Sequence, residues 1–142
     1  MTLDTFSRAA EFLSGHDIDL RVFLLLNPPF MPAAESAEWT RRSIDAAIAA
    51  GAAVCSIIPT RRGNGALEAL GPGFVAPRLP ALEAALAYGL SRGGGRIFAD
   101  LWDVEQFFDC RCSPARAARL LEMNRRQALA APVACDACDP HM

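Results

Sequence analysis

Leu20-Arg21-Val22-Phe23-Leu24-Leu25-Leu26-Asn27-Pro28-Pro29 is a near-continuous apolar run closed by a turn. A strand with one wet face alternates polar and apolar residues, so this run predicts a strand covered on both faces. Working outward, Leu3, Phe6, Ala9, Ala10 and Leu13 recur at helical spacing before it, with Gly15 as the stop. After it, Ala37, Ile44, Ala47 and Ile48 share one face of a helix from Ala34 to Ala50 that Gly51 ends. Ala53 to Ile58 reads as a second strand, followed by the loop Pro59-Thr60-Arg61-Arg62-Gly63-Asn64-Gly65. A short helical piece, Ala66 to Leu70, precedes a break at Gly71-Pro72-Gly73. Leu79 to Leu90 is helical, Arg96 to Leu101 a third strand, and Pro114 to Leu129 a last helix.

The alternation α-β-α-β-α-β-α implies an α/β fold with parallel strands and crossover connections, as in doubly wound sheets and β/α barrels. Three such strands leave both outer edges unpaired beside apolar faces. The expectation is therefore that a partner chain, or further β/α units, supplies the missing strands. Residues 1–109 form the β/α part and residues 110–142 a helix with a cysteine-rich extension.

The 142 residues carry a net charge of −2, which gives no global attraction to a phosphate backbone. All 14 cationic residues are arginines. The absence of lysine excludes Schiff-base catalysis, a pyridoxal-phosphate anchor and a P-loop. His16, His141 and Tyr88 add little acid–base machinery. Arg, Asp or Pro interrupts every apolar stretch, so no membrane span is expected. Nothing at Met1 to Arg8 marks export, which points to a reducing, cytoplasmic setting for the cysteines.

Ligands in parallel β/α architectures bind where the strands end, which places Asn27 to Phe30, Pro59 to Gly65 and Asp100 to Asp103 on one rim. Glycines there admit a ligand to the backbone and Arg61 or Arg62 can grip an anion, or the loop is a solvated turn. Asp100 and Asp103 read as caps or as cation ligands, and Trp102 as packing or a stacking platform. Cys110-Arg111-Cys112 and Cys135-Asp136-Ala137-Cys138 form two close pairs joined by a helix that can fold back. Four thiolates from two short knuckles suit tetrahedral zinc or an iron–sulfur cluster, although the first pair is CxC where CxxC is usual. His141 is a spare ligand, and Cys55 reads as a small core residue. Arg116, Arg119, Arg125 and Arg126 read as a solvated face or an RNA contact.

Taken in order, Leu20 to Pro29, the helix with Glu38, Ser56 to Gly65, and Arg119-Leu120-Leu121-Glu122-Met123-Asn124-Arg125-Arg126-Gln127 followed by Cys135 and Cys138 resemble the C-terminal portion of a radical SAM enzyme. The class includes tRNA-modifying methylthiotransferases and Elongator-type catalytic subunits. The resemblance implies the last strands of a partial TIM-type barrel, with Asn27, Pro28 and Pro29 near S-adenosylmethionine and Thr60, Arg61 and Gly63 bordering a small-molecule or RNA substrate. That class holds its SAM-cleaving [4Fe–4S] cluster with CxxxCxxC before these strands, and this spacing does not occur here. The chain alone is therefore not expected to cleave SAM. Two other readings stand beside this one: a non-catalytic metal module completing a partner's sheet, and a small enzyme using Asp100 and Asp103 with a divalent ion.

Overall fold

A computed structural model gives the fold and describes residues 1–63 and 65–138. Helix α1 spans Leu3–Ser14 and opens on a reciprocal cap in which Thr2 and Thr5 satisfy each other's backbone amides. Strand β1, Arg21–Leu26, leads into α2, Ala33–Ala49. Gly51 ends α2 at φ 79°, a conformation that glycine adopts without a Cβ clash. Strand β2 is Val54–Pro59 and the one-turn α3 is Ala66–Ala69. A 3-10 turn at Gly71–Gly73 stands where a break was expected. Helix α4, Leu79–Arg92, precedes β3, Arg96–Ala99. A second 3-10 turn, Val104–Phe107, leads to α5, Ser113–Arg126.

The strands pair in parallel in the order β1-β2-β3. In register, Val22, Cys55 and Ile97 form one buried row, and Leu24, Ile57 and Ala99 a second on the same face. Against these rows lie Ile44 and Ala47 of α2 and Leu79, Leu82 and Leu86 of α4. Gly89 lets α4 settle onto the sheet, because a Cβ there would lie 2.7 Å from the Ile97 side chain. From α5, Leu120 and Met123 join the same core.

All the covering helices lie on that one face. The opposite rows, Phe23 with Ser56 and Phe98, and Leu25 with Ile58, face away from them. Phe23 is 60% exposed and Leu25 55%. The expectation that the first strand is covered on both faces is thus corrected. Apolar continuity reports what a strand is suited to, and among the described residues nothing supplies the second cover. Over the open face Arg21 stacks on Phe23 and donates to the Ser56 hydroxyl, and Arg96 stacks on Phe98.

The two edges of the sheet differ. Ile97 and Ala99 direct their amides and carbonyls outward from β3, and side chains of α5 and of its C-cap residue meet all four groups. Gln127 accepts from the Ile97 amide at 2.9 Å and donates to its carbonyl at 2.8 Å. Asn124 does the same for Ala99, at 2.9 and 2.8 Å. Two carboxamides thereby imitate the missing strand and close this edge. On β1, the carbonyls of Leu20 and Leu26 accept from residues on the β2 side. Peptide groups alternate along a strand, so those of Arg21, Phe23 and Leu25 point to the other edge, where no strand pairs among the described residues. Beside that edge α1 and α2 line an open groove, with Phe6 and Ala10 on one side and Ala46 and Ala50 on the other, while Leu3 and Phe12 stay exposed.

Replacing Asn124 by Ala is expected to leave the Ala99 amide and carbonyl unpaired against a buried residue. The cost should be about 1–3 kcal/mol in urea denaturation. Amide exchange at Ala99 should accelerate more than exchange at Cys55, which changes only by the loss of global stability.

Candidate metal centre

The four late cysteines come together as two turns on either side of α5. In the first, the Ser113 amide donates to the Cys110 carbonyl at 3.0 Å, and the buried Ser113 hydroxyl accepts from the Asp109 and Cys110 amides. Ser113 thus fills the fourth position of the turn, where a CxxC knuckle would carry its second cysteine, and Cys112 supplies the sulfur from the third. In the other turn the Cys138 amide donates to the Cys135 carbonyl at 3.1 Å. Pro114 stands in the first turn of α5, where its missing amide costs nothing. From the far end of α5 the chain returns along the helix, held by Arg119, which donates to the Ala130 carbonyl at 3.1 Å.

Cys110 Sγ lies 3.7 Å from Cys135 Sγ, and Cys112 Sγ 3.4 Å from Cys138 Sγ. All four sulfurs fall within 4.8 Å of one another, with Cys112 and Cys135 buried and the other two half-buried. Four thiolates at a zinc–sulfur distance of about 2.3 Å in a tetrahedron stand about 3.8 Å apart. The four residues therefore can hold one metal ion. They are the one group of three or more His, Cys, Asp or Glu among the described residues whose ligand atoms come so close. His141 lies outside the described residues.

Backbone amides favour the thiolate form in both turns. The amides of Cys138 and Ala137 pull the Cys135 thiol down to about 6. The Cys112 amide lowers Cys110. Cys138 is pushed up to about 12, first by the Cys110 side chain and then by that of Cys112, the neighbouring sulfurs to which its proton is held. Arginines approach from two sides. Arg116 Nε donates to Cys112 Sγ at 3.3 Å, and Arg78 Nη2 to Cys138 Sγ at 3.8 Å, while Arg78 also pairs with Asp109 at 2.6 Å. The fifth cysteine, Cys55, is 1% exposed in β2, and burial raises its thiol to about 11, as suits an inert core residue.

The rim at the strand ends is assembled as expected, but its side chains are engaged within it. The Thr60 hydroxyl donates to the Leu26 carbonyl, joining the first two loops. Arg61, 11% exposed at its side chain, donates to the Pro59, Asp100 and Trp102 carbonyls and to the Asp100 carboxylate at 2.9 Å. Its guanidinium also stacks on Trp102 and Phe107. Asn27 adopts φ 53°, accepts from the Ser36 hydroxyl and donates to the Val75 carbonyl. Pro28 accepts from Met31, and Gly63 donates its amide to Glu68 at 2.6 Å; Pro29 continues the same turn, and Asn64 lies outside the described residues. Asp100 closes a local turn by accepting from the Trp102 amide, and Asp103 accepts from Gln106. The two aspartates thus serve turn geometry.

On α5 the basic face is divided. Arg116 and Arg119 turn inward onto Glu83 of α4, which is 3% exposed, and Arg126 pairs with Glu122 at 2.8 Å. A carboxylate on the apolar face of α4 was the signal for this arrangement. Arg78, Asp109 and Ser113 carried no such signal, since only the fold brings them to the cysteines.

Comparison with protein families, with curated proteins and with solved structures returns no match for this chain. No helix among the described residues is long and apolar enough to cross a membrane.

Metal and protons compete for the same sulfurs, so zinc affinity, measured against a chromophoric chelator, should rise with pH. Below about pH 6, where Cys135 also protonates, it should fall most steeply as each ion displaces further protons. An affinity that does not change between acid and neutral pH would rule out thiolate ligation.

Proposed function

We propose that this chain is a zinc-clamped, sheet-terminating segment of a larger β/α enzyme, and that it supplies one wall of that enzyme's cavity. The observation that carries the metal reading is the spacing of the four sulfurs, which is that of one tetrahedral ion. A [4Fe–4S] cube attaches each thiolate to a different iron, so its four sulfurs stand apart by an iron–iron edge plus two splayed bonds. The contacts of 3.4 and 3.7 Å leave no room for that. A closed set of four thiolates has no open coordination position, so the ion holds structure and does not activate a substrate. Zinc suits this role because it has no redox chemistry to protect against.

The wall reading rests on topology. Consecutive parallel strands with their crossover helices on one face are the construction of a β/α barrel, whereas a doubly wound sheet puts helices on both. Right-handed crossovers place α1 above the outer edge of β1, where a preceding parallel strand belongs. The open face then becomes the inner wall. It contains a hollow of about 380 Å³ bordered by Arg21, Phe23, Ser56, Phe98 and Asp100. The closed β3 edge ends the sheet on the other side, so the proposed barrel is a partial one.

The resemblance to radical SAM enzymes supplies the finer assignment. In that reading the partner, or the preceding units, hold the [4Fe–4S] cluster and generate the radical, with S-adenosylmethionine lying near Asn27, Pro28 and Pro29. The Thr60, Arg61 and Gly63 loop borders the substrate. Because Thr60 and Arg61 are engaged within the rim, this loop would offer a ligand shape and backbone more than free charge. The polypeptide that pairs with β1 is then expected to carry CxxxCxxC. A partner without it would remove the radical SAM assignment and leave the clamp untouched.

Metal analysis of anaerobically purified protein tests the clamp. One zinc per chain and a colourless solution are expected, with the metal lost on replacing any of Cys110, Cys112, Cys135 or Cys138 by Ser and retained on replacing Cys55. A brown protein with iron and acid-labile sulfide would contradict the single-ion reading.

A further inference from the structure

Glu83 stands on the face of α4 that carries Leu79, Leu82 and Leu86, and burying a carboxylate there is costly unless it is paired. It is paired twice, with Arg116 and with Arg119, the latter at 3.1 Å. Arg116 also reaches the cysteines, its Nε donating to Cys112 Sγ from 3.3 Å. A divalent ion bound by four thiolates carries a net charge of −2, and this guanidinium faces it. The second arginine near the sulfurs, Arg78, is more distant at 3.8 Å and is neutralised by Asp109.

We infer that Glu83, Arg116 and Arg119 form the outer shell of the metal centre, with Arg116 as the residue that positions the Cys112 thiolate. The inference rests on the metal reading above and extends it to α4, which contributes no sulfur. Glu83 aims Arg116, and Arg119 holds Glu83 while also gripping the returning chain through the Ala130 carbonyl. Outer-shell donors of this kind fix the direction of a ligand's lone pair and lower its charge. The rival explanation is a buried ion pair that fastens α4 to α5 without reference to the ion.

Cobalt(II), which reports sulfur ligation by its charge-transfer absorption, separates the two in the full chain under anaerobic conditions. Arg116→Met is expected to weaken cobalt and zinc binding by about 10- to 100-fold in chelator competition. It should also move the sulfur-to-cobalt band to lower energy, because Cys112 loses its hydrogen-bond donor. Arg119→Met removes an ion pair of the same carboxylate but no contact to sulfur, so it should lower thermal stability and leave the band in place. Arg116→Met leaves Glu83 short of a partner, so Glu83→Gln/Arg116→Met is measured beside it and should show the same band shift. Wild-type affinity and an unshifted band in both Arg116 variants would overturn the outer-shell role, as would an equal shift in Arg119→Met. A wild-type chain that gives no tetrathiolate cobalt spectrum would instead overturn the metal reading on which the inference stands.

Discussion

Four sulfur atoms within 4.8 Å of one another are held together at a cost. As thiolates they repel, and as thiols they compete for a few protons, as the opposite displacements of Cys135 and Cys138 show. A cation at their centre removes both difficulties. Backbone amides in each turn already favour the charged form of Cys110 and Cys135 before any ion arrives. Much of the C-terminal third depends on this constraint. The two turns bracket α5, and the return of the chain along that helix brings Cys135 back to Cys110.

The placement of α5 has consequences for the sheet. Its inward face buries Leu120 and Met123 in the common core, while Asn124 and Gln127 occupy the outward groups of β3. A carboxamide offers one donor and one acceptor, the same pair that a strand would offer, so two of them finish the edge without inviting another chain. At β1 nothing comparable exists among the described residues, and the exposed Phe23 and Leu25 lie next to that open edge. One edge is closed by side chains, and the other pairs with no strand among the described residues. In the proposed reading, this asymmetry gives the segment a place within a larger parallel architecture.

The elements were legible where local chemistry dominates. Apolar runs located all three strands, Gly51 and Gly15 marked helix ends, and the paired cysteines with an intervening helix announced their own meeting. What could not be read depends on distant partners. The run at Leu20 to Leu26 implied two covers, yet the described residues supply only the helical side. Arg116 and Arg119 looked like a wet basic face because their counter-ion, Glu83, is 33 residues away from Arg116 and on another helix. Arg61 looked available, but its donors are taken by the Asp100 to Trp102 loop. The CxC departure from a CxxC knuckle is explained by Ser113, whose hydroxyl and amide complete a turn that the sequence pattern alone does not reveal.

X-ray absorption at the zinc edge of the metal-loaded protein reads the clamp itself. A single shell of four sulfur neighbours at about 2.3 Å and no metal–metal distance are expected. A shell containing nitrogen or oxygen in place of sulfur, or iron at its own edge with a neighbouring iron, would contradict it.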